Sequence, residues 1–351
     1  MAKYDIISGR DAIFQVIYTN LWTVKLRFPC YPEFRLNQRF YNVREGYLFM
    51  RRVLTSFKRD KWLYVMVAPA LLWFLIFCYT PMFGIGIAFR RYQPGMSFFS
   101  FDGFVGFKNF QNLFSDHFFW RAFQNSIILA VMRIAVCLPA AVFMAILLSE
   151  VKNKVFKSLV QTVTYIPHFL SWVVVSVFCI TFFNPETGIN FLLKGRGLSP
   201  ITLTDNNLFR IIVVGADMWK DMGFNSVLFL SAILSIDPGL YESAAIDGAG
   251  RGRCIFSITL PCIRNTILTV FVLWVGTIIG VGFDQIFNMY NPAVYATGDI
   301  IDTYVYRTAF SMGGDNYGTA TAAGLFKSVI SLGLLLGANA FSRRIGEEII
   351  F

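Results

Sequence analysis

The chain has 351 residues, 56% hydrophobic and only 15% charged, with a net charge of +10 and a mean hydropathy of +0.56. A water-soluble domain carries about 25% charged residues, so this balance excludes one and identifies an integral membrane protein. The basic excess is read as charge facing membrane lipid, with no nucleic acid expected as a partner.

Residues 1–61 hold twelve Lys and Arg against five Asp and Glu. Met1 is not followed by a short apolar run with a small-residue cleavage site, so no cleaved signal peptide is expected. Within this segment the run AIFQVIYTNLWTV at 12–24 is too short and too interrupted to span a bilayer. It reads either as an interfacial helix on anionic lipid or as a solvated tail.

Six runs near 20 apolar residues follow, at 62–89, 123–148, 159–183, 209–236, 266–289 and 320–341. All six are expected to be helices, because an open sheet edge cannot satisfy its backbone in lipid. The predicted fold class is therefore an all-α integral membrane protein with six transmembrane helices. Its parts are a basic segment at 1–61, a bundle at 62–341 and a short tail at 342–351. Twenty of the 31 basic residues fall on one side: the twelve up to Lys61, then Lys152, Lys154, Lys157, Arg251, Arg253, Arg264, Arg343 and Arg344. By the positive-inside rule that side is cytoplasmic and so are both termini, against a local conflict at Arg90 and Arg91. The loops at 90–122 and 184–208 then face outward, and their length suggests docking surfaces.

Cys30, Cys78, Cys137, Cys179, Cys254 and Cys262 form no C-x-x-C pair, and His117 and His168 are the two histidines. Free thiols, structural or loop histidines and no metal site are expected.

Between the fourth and fifth runs lies YESAAIDGAGRGRCIFSITLP, starting at Tyr241. Asp237 and Pro238 are a helix-start signal, with Asp as cap and Pro at the first helical position. A short helix through Asp247 should then turn at Gly248 and Gly250, which tolerate the left-handed conformation. A second amphipathic turn carries Ile255, Phe256 and Ile258 and ends at Leu260 and Pro261. The outcome is a compact helical knob on the cytoplasmic side, where small Ala244 and Ala245 allow another protein to approach closely.

Glu242, Ser243 and Ala244, then Gly248, then Ile258, Leu260 and Pro261 match the EAA, three residues, G, nine residues, I-x-LP signature. On that spacing the chain resembles the membrane subunits of binding-protein-dependent ABC importers, whose fold is that of type I importers. Ser243 in place of the first alanine is the one departure. The runs PMFGIGIAF, NPETG, DMWKDMGFNSVLFLSAILSIDPGLYESAAIDGA, DIIDTYVYR and GLFKSV are similar to the polysaccharide and oligosaccharide permeases of the carbohydrate-uptake class, the LplB-like branch related to maltose permeases. This similarity runs from about residue 50 to the end.

The resemblance implies that the loop at 237–263 docks into a partner ATPase. Glu242 then meets a basic group, Ser243, Ala244 and Ala245 pack closely, Asp247 and Gly248 form the turn, and Ile258, Leu260 and Pro261 complete the handle. It also implies a second homologous permease, two ATPase subunits and an extracytoplasmic solute-binding protein, all at a bacterial plasma membrane. No G-x-x-x-x-G-K-[ST] loop is present, so no cofactor is expected in this chain, and ATP and Mg would be held by the ATPase subunits.

Ionisable residues inside the spans mark either paired structural sites or a solute pathway. They are Arg133, Asp217, Lys220, Asp221, Asp284 and Lys327. Sugar recognition calls for aromatic rings beside amides and carboxylates. The fourth span offers Trp219, Lys220, Asp221, Phe224 and Asn225, and the fifth offers Trp274, Thr277, Asp284 and Gln285. In maltose permeases the same two helices line the substrate site, although the amides of that site align here near Ile278 and Val281. An exposed Lys220 or Lys327 would favour an acidic saccharide. Competing readings are an ABC permease for a peptide or amino acid, an ion-coupled secondary transporter and a membrane enzyme. The last two are disfavoured, because neither an internal repeat nor a convergent catalytic set is apparent.

Overall fold

The computed structural model describes residues 61–97, 102–280, 282–310 and 316–344. The basic segment through residue 60, with the run at 12–24, and the tail beyond Arg344 lie outside the described residues. The chain divides into two compact units, Met1–Met82 and Phe83–Phe351. In the first, helix α1 (Lys61–Phe74) contains Pro69 and continues through a π turn at Leu75–Tyr79. The whole helical run Lys61–Phe89 is 29 residues long and apolar enough to cross a membrane.

The second unit is a helical bundle. Its elements are α2 (Lys108–Ser115), α3 (His117–Glu150), α4 (Lys154–Tyr165), α5 (Trp172–Phe182), α6 (Gly188–Lys194) and α7 (Asn206–Leu234). Then follow α8 (Pro238–Ile246), α9 (Arg251–Cys254), α10 (Arg264–Thr277), α11 (Phe283–Met289), α12 (Ile301–Phe310) and α13 (Tyr317–Arg344). Short polar caps fix where the long helices begin. Asp116 accepts from the Phe118 N–H at 2.8 Å, Asn153 from Val155 and Phe156, and Asp205 from the Asn207 N–H.

Helices α3 and α7 form the spine, and they run in the same direction. Arg210 donates to Asn125 near their N-terminal ends, Arg133 meets Asp217 midway, and Phe229 and Ile233 pack with the segment of α3 between Leu138 and Leu148. The bundle therefore has an N-terminal end, where α3 and α7 start, and an opposite end, where α7 leads into α8.

Not all of the six expected spans are straight helices. Among the described residues Lys61–Phe89, α3 and α13 qualify as single crossing helices, and up to three more spans are bent pairs. The third span bends by 100° between Lys154–Phe169 and Trp172–Phe182, where Pro167 sits in a 3₁₀ turn and Ser171 caps α5. The run expected to be continuous over 266–289 is interrupted: α10 ends at Thr277, a 3₁₀ turn covers Ile278–Gly280, and Gly282 adopts φ +107° before α11 begins. Arg133 explains why position 282 is glycine, since a Cβ there would land on its guanidinium. Only glycine combines that backbone conformation with that approach.

Candidate functional site

The segment between α7 and α10 forms the expected knob, with the adjoining helices bent by 69° at its entry and 58° at its exit. Asp237 caps α8 by accepting from the Gly239 N–H at 2.9 Å, with Pro238 at the first helical position. Helix α8 closes on a left-handed Gly248 (φ +75°), with Gly248 N–H donating to Ala245 and Ala249 N–H to Ala244 at 2.9 Å. Gly250 does not take the left-handed form expected of it. It is extended (φ −73°, ψ 164°) and stands at the N-cap of α9, because one left-handed residue suffices to reverse the chain. The second arm continues from α9 through a π turn at Ile255–Thr259 to Cys262, one residue beyond the expected end.

Tyr241 and Thr259 hydroxyls lie 2.9 Å apart and tie the two arms together. The Ser243 hydroxyl donates to the Gly239 carbonyl within α8, so serine satisfies itself where alanine was expected. Glu242, Ser243, Ala245, Asp247 and Pro261 are exposed, Ala244 and Ile258 are half-buried, and Leu260 packs against the core of α3 and α7. The knob also exposes Ile246 (87%) and Phe256 (74%). Two large apolar side chains beside an exposed carboxylate make a face suited to a protein partner.

Midway along the bundle the ionisable residues fall into pairs. Arg133 reaches from α3 to Asp217 on α7, with Nε to Oδ2 at 3.4 Å, and also donates to Gln285 on α11. Gln285 is fully buried and donates in turn to the Val213 carbonyl at 2.7 Å. One turn further along the same face of α7, the buried Lys220 donates to the His168 carbonyl at 2.6 Å, and the His168 Nδ1 lies 2.7 Å from Asp221. The His168 ring stacks on Phe224 at 3.9 Å, and Lys220 Nζ lies 5.4 Å from the Trp172 ring centre. A helix broken at mid-bundle leaves carbonyls without intrahelical donors, and Lys220 supplies one. Gly223 brings α7 against the Thr164 backbone at this break, where a Cβ would clash.

Lys220 and Lys327 are therefore not the exposed cations considered from the sequence. Lys220 is buried against the broken helix, and Lys327 pairs with Asp302 on α12. The expected pathway residues are not gathered into one site either. Trp219 lies about 160° around α7 from Asp221 at ~100° per residue and stacks on Phe178 instead. Trp274 packs into the core, Thr277 donates back to its own helix, and Asp284 and Asn225 stand apart from these pairs. His168, read as a lone structural or loop residue, is the centre of the cluster on α7. Its sequence signal was the neighbouring Pro167, which marks a helix break and hence free carbonyls.

A cavity of about 350 Å³ opens at the N-terminal end of the bundle, near the starts of α3, α12 and α13, where the sequence reading placed no site. Asp116 and Tyr304 meet there at 2.7 Å, and burial together with that hydrogen bond pushes the Tyr304 phenol well above its ordinary range. Beside it, Arg307 grips the fully buried Asp299 with two bonds of 2.7 and 3.0 Å, which raises the guanidinium above its usual range.

Residues 137–347 match the family model described as "binding-protein-dependent transport system inner membrane component". Protein LplB of Bacillus subtilis (strain 168) is 39% identical over 300 residues, covering 85% of this chain and 93% of the relative. The polygalacturonan/rhamnogalacturonan transport system permease protein YteP of the same organism is 36% identical, covering 86% and 94%. Among solved structures, a bacterial ABC transporter involved in import of the acidic polysaccharide alginate contains a chain 41% identical to this one. The TM-score is 0.77, over 84% of this chain and 99% of that one. The knob, the bent spans and these similarities converge: the chain belongs to the family of binding-protein-dependent transport system inner membrane components.

Proposed function

We propose that this chain is one of two homologous permease subunits of an ATP-driven importer of oligo- or polysaccharides. Two ATPase subunits work on its cytoplasmic face, and an extracytoplasmic solute-binding protein delivers the saccharide to the other. The observation that carries this reading is the knob at 237–263, which keeps the full EAA spacing and holds Glu242 exposed at its surface. In this reading Glu242 pairs with a basic group of the ATPase. Ile246 and Phe256 fill apolar sites beside it, and Ser243, Ala244 and Ala245 permit close approach. Asp247 and Gly248 hold the turn, while Ile258, Leu260 and Pro261 join the handle to the spans. Closure of the ATPase dimer moves the knob as a rigid body and tilts α7 and α10 with it. ATP and Mg belong to the ATPase subunits, both termini of this chain are cytoplasmic, and the membrane is the bacterial plasma membrane.

The translocation path runs beside the bend of the third span, along the part of α7 that carries Lys220, Asp221, Phe224 and Asn225. Trp219, Trp274, Thr277, Asp284 and Gln285, also read from the sequence as pathway residues, lie away from this stretch and are not assigned to it. Irregular backbone at that depth is tolerated only where it is covered by protein or lines a hydrated cavity. Acidic saccharides are the favoured class, supported by the polygalacturonan/rhamnogalacturonan permease and the alginate transporter among the similar proteins. Uptake of labelled oligosaccharides into proteoliposomes holding the complete complex tests the proposal. Accumulation should require ATP and the binding protein and should survive ionophores. Uptake that follows an ion gradient without ATP would overturn it in favour of a secondary transporter.

A further inference from the structure

The cavity at the N-terminal end of the bundle is separate from both the knob and the mid-bundle pairs. A 34-residue α3 is about 50 Å long at ~1.5 Å per residue, and the cavity lies at its start while the knob lies beyond its far end. Its volume, about 350 Å³, falls in the ~300–1,000 Å³ range of small-molecule sites. Phe118 and Tyr295 supply aromatic surface, Asn112 an amide, and Arg121 and Arg307 two guanidinium groups.

The charges around this cavity are unequally satisfied. Arg307 is held by Asp299 and lies over the Tyr295 ring at 5.1 Å. Asp116 caps α3 through the Phe118 N–H and accepts the Tyr304 hydroxyl, so its negative charge is already answered by hydrogen bonds and the helix N-terminus. Arg121 differs. Its Cζ lies 5.1 Å from the Phe118 ring centre, its Nε is shut off from solvent, and its guanidinium makes no hydrogen bond or ion pair among the described residues. A guanidinium that lines a cavity without an ion pair favours an anion, which its terminal N–H groups would meet.

We infer that this cavity is an entry subsite for one uronate unit of an acidic saccharide, with the carboxylate on Arg121 and the sugar ring beside Phe118 and Tyr295. The inference rests on the saccharide-import reading. In the proposed orientation this end faces outward, so the subsite receives the saccharide as the binding protein releases it, before the chain reaches the mid-membrane path.

The test is calorimetric titration of the paired permease subunits in nanodiscs, without the binding protein, using tri-galacturonate and tri-mannuronate against galactotriose and mannotriose. Loss of one charge-assisted pair, about 1.5–3 kcal/mol, predicts that R121Q weakens binding of an acidic trisaccharide about tenfold or more. R121K should bind it much better than R121Q, and the neutral trisaccharides should bind weakly to every variant. Unchanged acidic binding in R121Q, or neutral binding equal to acidic, would overturn the subsite. Should R121Q fail to assemble, T319W, which places a bulky side chain at another lining position, must cause the same loss of acidic binding. Saccharide-stimulated ATPase activity of the wild-type complex separates the two levels. Stimulation with unaltered R121Q binding removes the subsite alone, whereas no stimulation by any saccharide removes the import reading and the subsite with it.

Discussion

At the scale of single residues, the mid-bundle is held by groups that cannot be replaced one at a time. Arg133 is 4% exposed and Asp217 13%, so removing either charge leaves the other buried and unanswered. Arg133→Ala should cost about 3–5 kcal/mol, read as a lower thermal midpoint of the purified chain. Arg133→Met combined with Asp217→Leu should recover most of that loss, because the buried pair itself contributes little net stability. A double mutant no better than Arg133→Ala would contradict this account of the pair. Gly282→Ala should be destabilising by at least ~1–3 kcal/mol from its backbone conformation alone, with the collision against Arg133 added to it. The sequence exposed Arg133 and Asp217 as intramembrane charges of opposite sign. It could not show that Gln285 completes the set, because a break between α10 and α11 rotates Gln285 away from Trp274 and Thr277.

At the scale of elements, the knob was the most legible part of the chain. Its cap, its proline and its left-handed glycine are local signals, and each acts within a few residues of itself. Gly248→Ala should weaken the turn by about 1–2 kcal/mol, because a side chain is disfavoured at φ +75° even with open space around it. Gly252→Ala, in the helical α9 with nothing near its added Cβ, should be neutral or slightly stabilising. Thermal midpoints of the two variants check the contrast, and equal losses would refute it. The bend in the third span was less legible, since hydropathy reads composition and a bent pair has the same composition as a straight helix. What fixes the bend is tertiary: Lys220 meets the His168 carbonyl and Gly223 admits the Thr164 backbone. Lys220→Met should therefore raise amide hydrogen exchange over residues 164–171 and lower stability by about 1–3 kcal/mol. Unchanged exchange there would show that the bend holds without this contact.

At the scale of the whole molecule, the two ends of the parallel helices α3 and α7 carry different tasks. One end presents a knob with an exposed carboxylate and apolar side chains, suited to a protein partner, and the other a cavity with aromatic side chains and a guanidinium that makes no ion pair among the described residues. Family and fold class were legible because the EAA spacing is a fixed sequence pattern with few accidental matches. The cavity was not, because the pair Asp116 and Arg121 is distant in sequence from Tyr304 and Arg307, and the two pairs meet only when α12 packs against α3. The measurement that bears most directly on the central claim is ATPase activity of the reconstituted complex with its binding protein and a saccharide panel, comparing wild type with Glu242→Ala. The account predicts that an acidic oligosaccharide stimulates turnover in the wild type. It predicts that Glu242→Ala abolishes this stimulation or prevents the ATPase from assembling, with the chain still folded. Full stimulation in Glu242→Ala would contradict the role given to the knob, and a wild-type chain with which no ATPase associates would contradict the proposed function as a whole.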